Sequence, residues 1–77
     1  MPRDPDLDWI THQRRRIGER VRDQRLHANL TQERLRDLSG VERLTIQRIE
    51  SGATDARISW LLRIADALGI HVTDLLR

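Results

Sequence analysis

TQERLRDLSGVERLTIQRIESG, residues 31–52, reads as two short helices on either side of a glycine. Thr31 suits the N-cap of the first, through Leu38, because its hydroxyl can accept from a backbone N–H that the helix leaves unpaired. Glu33 in that first turn complements the helix dipole. Gly40 breaks the helix, and a second runs from about Arg43 to Ser51, with Gly52 placed to end it in the left-handed conformation. Stepping ~100° per residue puts Ile46 and Ile49 on one side of this second helix. Arg43, Leu44, Gln47 and Arg48 fall on the other. Arginine can donate two hydrogen bonds to guanine O6 and N7, glutamine pairs with adenine, and leucine can touch a thymine methyl. Two helices around such a turn, the second presenting such a face, form a helix-turn-helix over residues 31–52.

The flanks add helices and nothing else. Upstream, Ile10 to Ala28 carries a stripe of Ile17, Val21 and Ala28 at helical spacing, with Arg25 on the same stripe. Downstream, Asp55 is an expected cap for a fourth helix whose core stripe is Ile58, Leu61, Leu62, Ala65 and Leu68. Gly69 stops it, and HVTDLLR (71–77) forms a last short helix presenting Val72, Leu75 and Leu76. No stretch alternates as a strand would, and no internal repeat is present. The reading is an all-α, five-helix domain over residues 10–77. A flexible acidic arm precedes it over residues 1–9, where Pro2 and Pro5 stand among aspartates.

Composition removes most other functions. With 77 residues and 38% hydrophobic content the chain builds one small domain. It has no cysteine, which excludes zinc fingers, disulfide scaffolds and thiol nucleophiles. All 14 basic residues are arginine, so no lysine is available for a P-loop or a Schiff base. Two tryptophans, with no Phe or Tyr, make a poor platform for stacking unpaired bases. His12, His27 and His71 have no companion ligands nearby in sequence, so no metal site and no histidine-based catalysis is expected. Ser39, Ser51 and Ser59 lack any activating motif. The expectation is a protein that is not an enzyme and needs no cofactor. No apolar run reaches a membrane span, and MPRDPDLDW lacks a signal-peptide core, so the expected location is cytoplasmic. Net charge is only +2, but its distribution is uneven: residues 12–48 hold ten arginines against five acids. A basic centre suits a phosphate backbone.

Taken with IGERVRDQR (17–25), LTQERL (30–35), SGVERLTIQRIESG (39–52), LLRIADALGI (61–70) and DLL (74–76), the chain resembles the phage Cro and repressor type of helix-turn-helix protein, often called the XRE family. The resemblance covers about Ile17 to Leu76 and implies a lambda-repressor-like fold. It implies that Gln32, beside the capping Thr31, grips a phosphate together with backbone N–H groups of the same helix terminus. Arg43, Leu44 and Gln47 would read bases, with Arg48 on the same face. The segment from Ser51 to Arg57 would meet the DNA backbone, with Ser51, Thr54 and Arg57 as candidates. Arg25 would pair with Glu50 as a structural ion pair. The chain departs from the pattern twice. Arg36 stands where the two helices normally touch through an alanine, and must snorkel outward or separate them. Glu42 replaces the usual Ser or Thr before the recognition helix, which suits the dipole but caps less well.

The expected function is sequence-specific binding to double-stranded DNA as a transcriptional regulator. A repressor acting as a homodimer on a near-palindromic operator is the leading form. Two alternatives stand beside it: the antitoxin of a toxin–antitoxin pair, with the acidic arm as toxin-binding segment, and a restriction–modification controller protein. For the dimer, Trp60, Ile64 and Ala67 form a second apolar stripe on the fourth helix, turned from its expected core stripe. With Val72 and Leu76 they make a candidate dimer patch, since an exposed tryptophan would leave a large apolar area in water. A second protomer or the chain's own Leu7, Trp9 and Ile10 could cover it; the partner protomer is preferred.

Overall fold

Among the described residues five helices follow one another: α1 (Pro5–His27), α2 (Gln32–Ser39), α3 (Arg43–Ser51), α4 (Ile58–Leu68) and α5 (Thr73–Leu76). The computed structural model describes residues 5–77, with side chains from Asp8 onward. Among the described residues no helix is long and apolar enough to cross a membrane.

The ends of the helices show which local signals prevailed. α1 begins at Pro5, a residue that tolerates the first turn because the N–H it lacks would have no helical partner. Residues 5–9, expected as arm, are therefore helical; residues 1–4 and the Leu7 side chain lie outside the described residues. The helix stops at His27, before the expected Ala28. Asn29 takes a left-handed φ of 59°, and the Leu30 N–H donates to the Arg25 carbonyl at 3.1 Å. Thr31 caps α2 as read: its Oγ1 accepts from the Arg34 N–H at 3.0 Å. Gly40, Gly52 and Gly69 close α2, α3 and α4 in the left-handed conformation. Asp55 does not cap α4. That position falls to Arg57, which makes no side-chain cap bond, while Asp55 accepts from Arg14 Nε at 2.6 Å.

α1 packs along α3, α4 and α5, and α2 packs on α3 and α4. Val21, Leu35, Val41, Ile46, Ile49, Leu61, Ile64, Ala65 and Leu75 are buried between them. α4 differs from its expected orientation. Its buried residues are Leu61, Ile64 and Ala65, with Leu68 partly covered, whereas Ile58 and Leu62 are exposed. The inward face is turned by about 50° from the expected stripe, at ~100° per residue. Eight of the eleven α4 residues are apolar, so two overlapping stripes satisfy helical spacing equally well. Packing against α2 and α1 selects the one containing Ile64. The expected dimer patch falls with this rotation. Ile64 is fully buried, and Trp60 and Val72 pack partly buried against the core. The Arg57 guanidinium lies 5.1 Å from the Trp60 ring centroid, a cation–π contact. Of the expected patch residues, Leu76 alone is exposed.

Two features fix α1 against α3. Gly18 sits at their crossing: a Cβ built on it would lie 2.2 Å from the Ile49 carbonyl oxygen and 2.7 Å from that of Glu50. Both are backbone atoms of α3 and neither can swing aside. Two turns further along α1, Arg25 reaches the end of α3. Its Nε donates to Glu50 Oε2 at 2.8 Å and its Nη2 to Oε1 at 3.0 Å. Nη1 donates to the Leu30 carbonyl at 2.8 Å, so the guanidinium also ties down the α1–α2 turn. Both side chains are nearly buried, at 10% and 6% exposure. The hydrogen bonds to Glu50 raise the Arg25 pKa further, against the desolvation that opposes its charge.

Gly18→Ala should cost about 3 kcal/mol or more, because α1 and α3 must separate to admit the methyl group. Gly69→Ala, where φ is +70° but nothing lies within 4 Å, should cost only about 1–2 kcal/mol of left-handed strain. Urea denaturation of the two variants measures both; equal costs would refute the close-approach explanation. For the ion pair, Arg25→Ala or Glu50→Ala should lose up to ~3–5 kcal/mol by stranding a buried charge. Replacing both by apolar residues, Arg25→Met with Glu50→Leu, should recover most of that loss. The exposed Arg22→Ala should stay within about 0.5 kcal/mol of wild type. A double-mutant cycle without coupling between residues 25 and 50 would contradict the pairing.

Candidate nucleic-acid interface

A tight turn joins α2 to α3. Ser39 Oγ, nearly buried, accepts from the Val41 N–H at 3.1 Å, and the Gly40 N–H donates to the Arg36 carbonyl at 2.8 Å. Val41 is buried beneath the turn and joins Leu35 to Ile46 and Ile49 in one core cluster. This anchors the inner face of α3. Arg43, Leu44, Gln47 and Arg48 are all exposed on its outer face, as the helical spacing predicts, with Leu44 at 54%. Arg43, Gln47 and Arg48 carry donors of the kind that base edges accept, and Leu44 an apolar side chain.

Both departures from the family pattern have local solutions. Arg36 is exposed and donates from Nε and Nη2 to Asp37 Oδ1, at 3.2 and 3.0 Å, so it snorkels outward while α2 and α3 stay in contact. Glu42 occupies the N-cap of α3 without making a side-chain cap bond. Its acidic charge there still complements the positive end of the helix.

The residues expected at phosphates are placed unequally. Thr31 is exposed with its hydroxyl engaged in the α2 cap. Gln32, the first residue of α2, is half-buried and donates from Nε2 to Glu50 Oε1 at 3.2 Å. It shares a polar hollow with Arg22, Gln47 and Ser51, and a second hollow beside it is lined by Thr31, Glu33 and Arg43. Gln32 thus stands between two base-reading candidates. The Ser51 hydroxyl donates to the Arg48 carbonyl at 3.1 Å and must release that bond to donate to DNA. Thr54 lines an apolar groove with Ile49 and Ala56, away from the hollows around Gln32. Arg57 is exposed, steadied by the Trp60 ring.

Arg22 is a functional candidate to which the sequence reading assigns no site role. It is exposed at the rim of the hollow shared by Gln32 and Gln47, a position suited to a phosphate. Its i−3 spacing from Arg25, on the stripe that faces α3, is the signal the sequence offers. The run Arg14–Arg16 is divided: Arg14 is tied to Asp55, the Arg15 stem packs against Gly52, and Arg16 is exposed.

On another face, Trp9, Ile10, Ile58 and Leu76 form the exposed walls of the apolar groove, over a floor of Ile17, Ile49 and Leu61. Trp9 is 64% and Ile58 62% exposed. Leu62, one turn beyond Ile58 on α4, continues the apolar surface.

With this geometry established, comparison with known proteins places the chain. A family model described as a helix-turn-helix domain matches residues 16–77, which contain all of α2 to α5 and the inner part of α1. Among solved structures, the restriction-modification controller protein C.AhdI from Aeromonas hydrophila is similar, with 32% sequence identity and a TM-score of 0.78. The likeness covers 80% of this chain and 94% of that one. No curated protein matches the chain. The exposed polar face of α3, the capped α2 that supports it and these two matches together show that the chain belongs to the helix-turn-helix domain family of the Cro and repressor type, and is a DNA-binding transcriptional regulator.

Proposed function

We propose that the protein represses transcription as a homodimer, each protomer laying α3 in the major groove of one half of a near-palindromic operator. The observation that carries this reading is the division of α3: Ile46 and Ile49 are locked in the core while Arg43, Leu44, Gln47 and Arg48 are exposed together. Those four are the proposed base readers. Thr31, Gln32 and the start of α2 are assigned to phosphate, with Arg22, Ser51 and Arg57 on the flanks. Thr54 has less support in this role, since it lines the apolar groove. The chain acts by occupying DNA and carries out no reaction, in the compartment that holds the DNA.

A second copy is the proposed occupant of the apolar groove. Trp9, Ile10, Ile58, Leu62 and Leu76 are each at least two-fifths exposed, and four of them wall a single depression. An exposed apolar depression of this kind suits contact with another protein surface. A two-fold operator also requires two heads, with half-sites centred about 34 Å apart, one turn of DNA. This replaces the expected patch around Trp60 and Ile64.

The likeness to a restriction-modification controller favours one refinement: regulation of a restriction–modification operon. Neighbouring methyltransferase and endonuclease genes would support it, and their absence would remove it.

Binding to duplex DNA should weaken steeply with salt. If each protomer neutralises about four phosphates, log K should fall with log salt at a slope of roughly −7 for a dimer. Gln47→Ala and Arg43→Ala should each lose ~1–3 kcal/mol at a duplex selected from a random pool and relax specificity at one base position. Gln32→Ala should weaken selected and random duplexes alike. Fluorescence anisotropy titrations across salt and sequence test all of this; a flat salt response, or identical behaviour of the three variants, would count against the assignment. Ile58→Asp should yield a folded monomer by light scattering across a concentration series, whereas Leu38→Asp, on exposed α2 surface, should leave the dimer intact. An Ile58→Asp protein that remains dimeric would place the interface elsewhere.

A further inference from the structure

The buried ion pair and the phosphate-facing glutamine share an oxygen atom. Glu50 Oε1 accepts from Arg25 Nη2 at 3.0 Å and from Gln32 Nε2 at 3.2 Å. An ionised carboxylate only accepts hydrogen bonds, so it admits the NH2 end of the Gln32 amide and excludes the carbonyl end. The amide therefore has one allowed orientation. One N–H is committed to Glu50, which leaves the other N–H for a ligand in the hollow that Gln32 shares with Arg22, Gln47 and Ser51. A carboxylate alone would repel a DNA phosphate. Here its charge is balanced by the guanidinium of Arg25, bound to both of its oxygens.

We infer that Glu50, held by Arg25, is a positioning residue for DNA binding: it sets the Gln32 side chain in its phosphate-gripping orientation before DNA arrives. This goes beyond a structural role for the pair, and it rests on the proposed contact of Gln32 with a phosphate. The physical gain is preorganisation. A glutamine on a surface helix has many rotamers to lose on binding, and one already pinned loses fewer. The pin also links the two ends of the site. Glu50 is the penultimate residue of α3 and Gln32 the first of α2, so a single carboxylate registers the phosphate contact against the recognition helix.

The test separates positioning from stability in two measurements. In the DNA-free, unmodified protein, side-chain 15N relaxation should show the Gln32 amide as restricted as the helix backbone, and the exposed Gln47 amide as mobile. A Gln32 amide as mobile as that of Gln47 would overturn the inference without any variant. The second measurement is binding to a random-sequence duplex at low salt. Gln32→Ala should weaken binding about tenfold, the scale of one charge-assisted hydrogen bond. The apolar pair Arg25→Met with Glu50→Leu should weaken binding by most of the same factor while circular dichroism and urea unfolding stay close to wild type. Adding Gln32→Ala to that pair should then change little. If Gln32→Ala costs the same factor in both backgrounds, or the apolar pair binds like wild type, the positioning role is overturned while the phosphate contact stands. A restricted Gln32 amide with no loss of affinity in Gln32→Ala would overturn the phosphate assignment and this inference with it. Should the apolar pair fail to fold, Glu50→Gln supplies the variant arm. An amide there can turn its own NH2 toward Gln32, so the Gln32 side chain should loosen and binding fall.

Discussion

The distance between α1 and α3 governs the working surface of this protein, and a missing side chain sets it. At Gly18 the backbone of α1 approaches two carbonyl oxygens of α3 more closely than any Cβ would permit. That crossing holds the recognition helix against the longest element of the fold. The Arg25–Glu50 pair then fixes the C-terminal end of α3 and, through the Leu30 carbonyl, the turn leading into α2. α2 and α3 are thus referred to one rigid rod. Rigid placement matters for a DNA-reading helix because base-edge hydrogen bonds tolerate little displacement, and elements that need not reorganise lose less entropy on binding.

Arginine does several different jobs in a chain that has no lysine. Arg25 is buried and paired with both oxygens of Glu50, a use to which the planar, permanently charged guanidinium is suited. Arg14 ties α1 to the loop before α4 through Asp55, and Arg57 lies over the Trp60 ring. Arg22, Arg43 and Arg48 remain exposed around the face proposed to meet DNA. Net charge alone, at +2, conceals this division. What attracts a polyanion is the local surplus on one surface, since the paired arginines contribute little field beyond their partners.

The portion of α1 before residue 16 lies outside the family match, yet it builds part of a surface. Trp9 and Ile10 stand on these added turns and wall the apolar groove together with Ile58 and Leu76. The same helix therefore contributes to both faces of the domain. Its inner turns seat the recognition helix, and its outer turns shape the groove assigned to a second copy.

Local chemistry is legible in the sequence wherever a residue acts on its own neighbours. Thr31 as cap, Gly40, Gly52 and Gly69 as stops, and the split of α3 between Ile46 with Ile49 and the four exposed residues all follow from the order of amino acids. Each depends on backbone geometry within about one helical turn. The pairing of Arg25 with Glu50 follows from family resemblance instead, because 25 residues of chain separate the two. Other features depend on what lies across the fold. α4 is apolar nearly all round, so its periodicity allows two orientations, and only packing in the fold buries Ile64 and leaves Ile58 exposed. Asp55 has the chemistry of a cap and is instead a partner for Arg14, since a long-range ion pair competes for the same carboxylate. The hydrogen bond from Gln32 to Glu50 leaves no trace in composition or spacing. The helices and the exposed face of α3 are thus written along the chain, because they follow from residues a turn or less apart. Which apolar face is spare, and which polar atoms share a partner, is settled only in the packed fold, where residues remote in sequence compete for the same contacts.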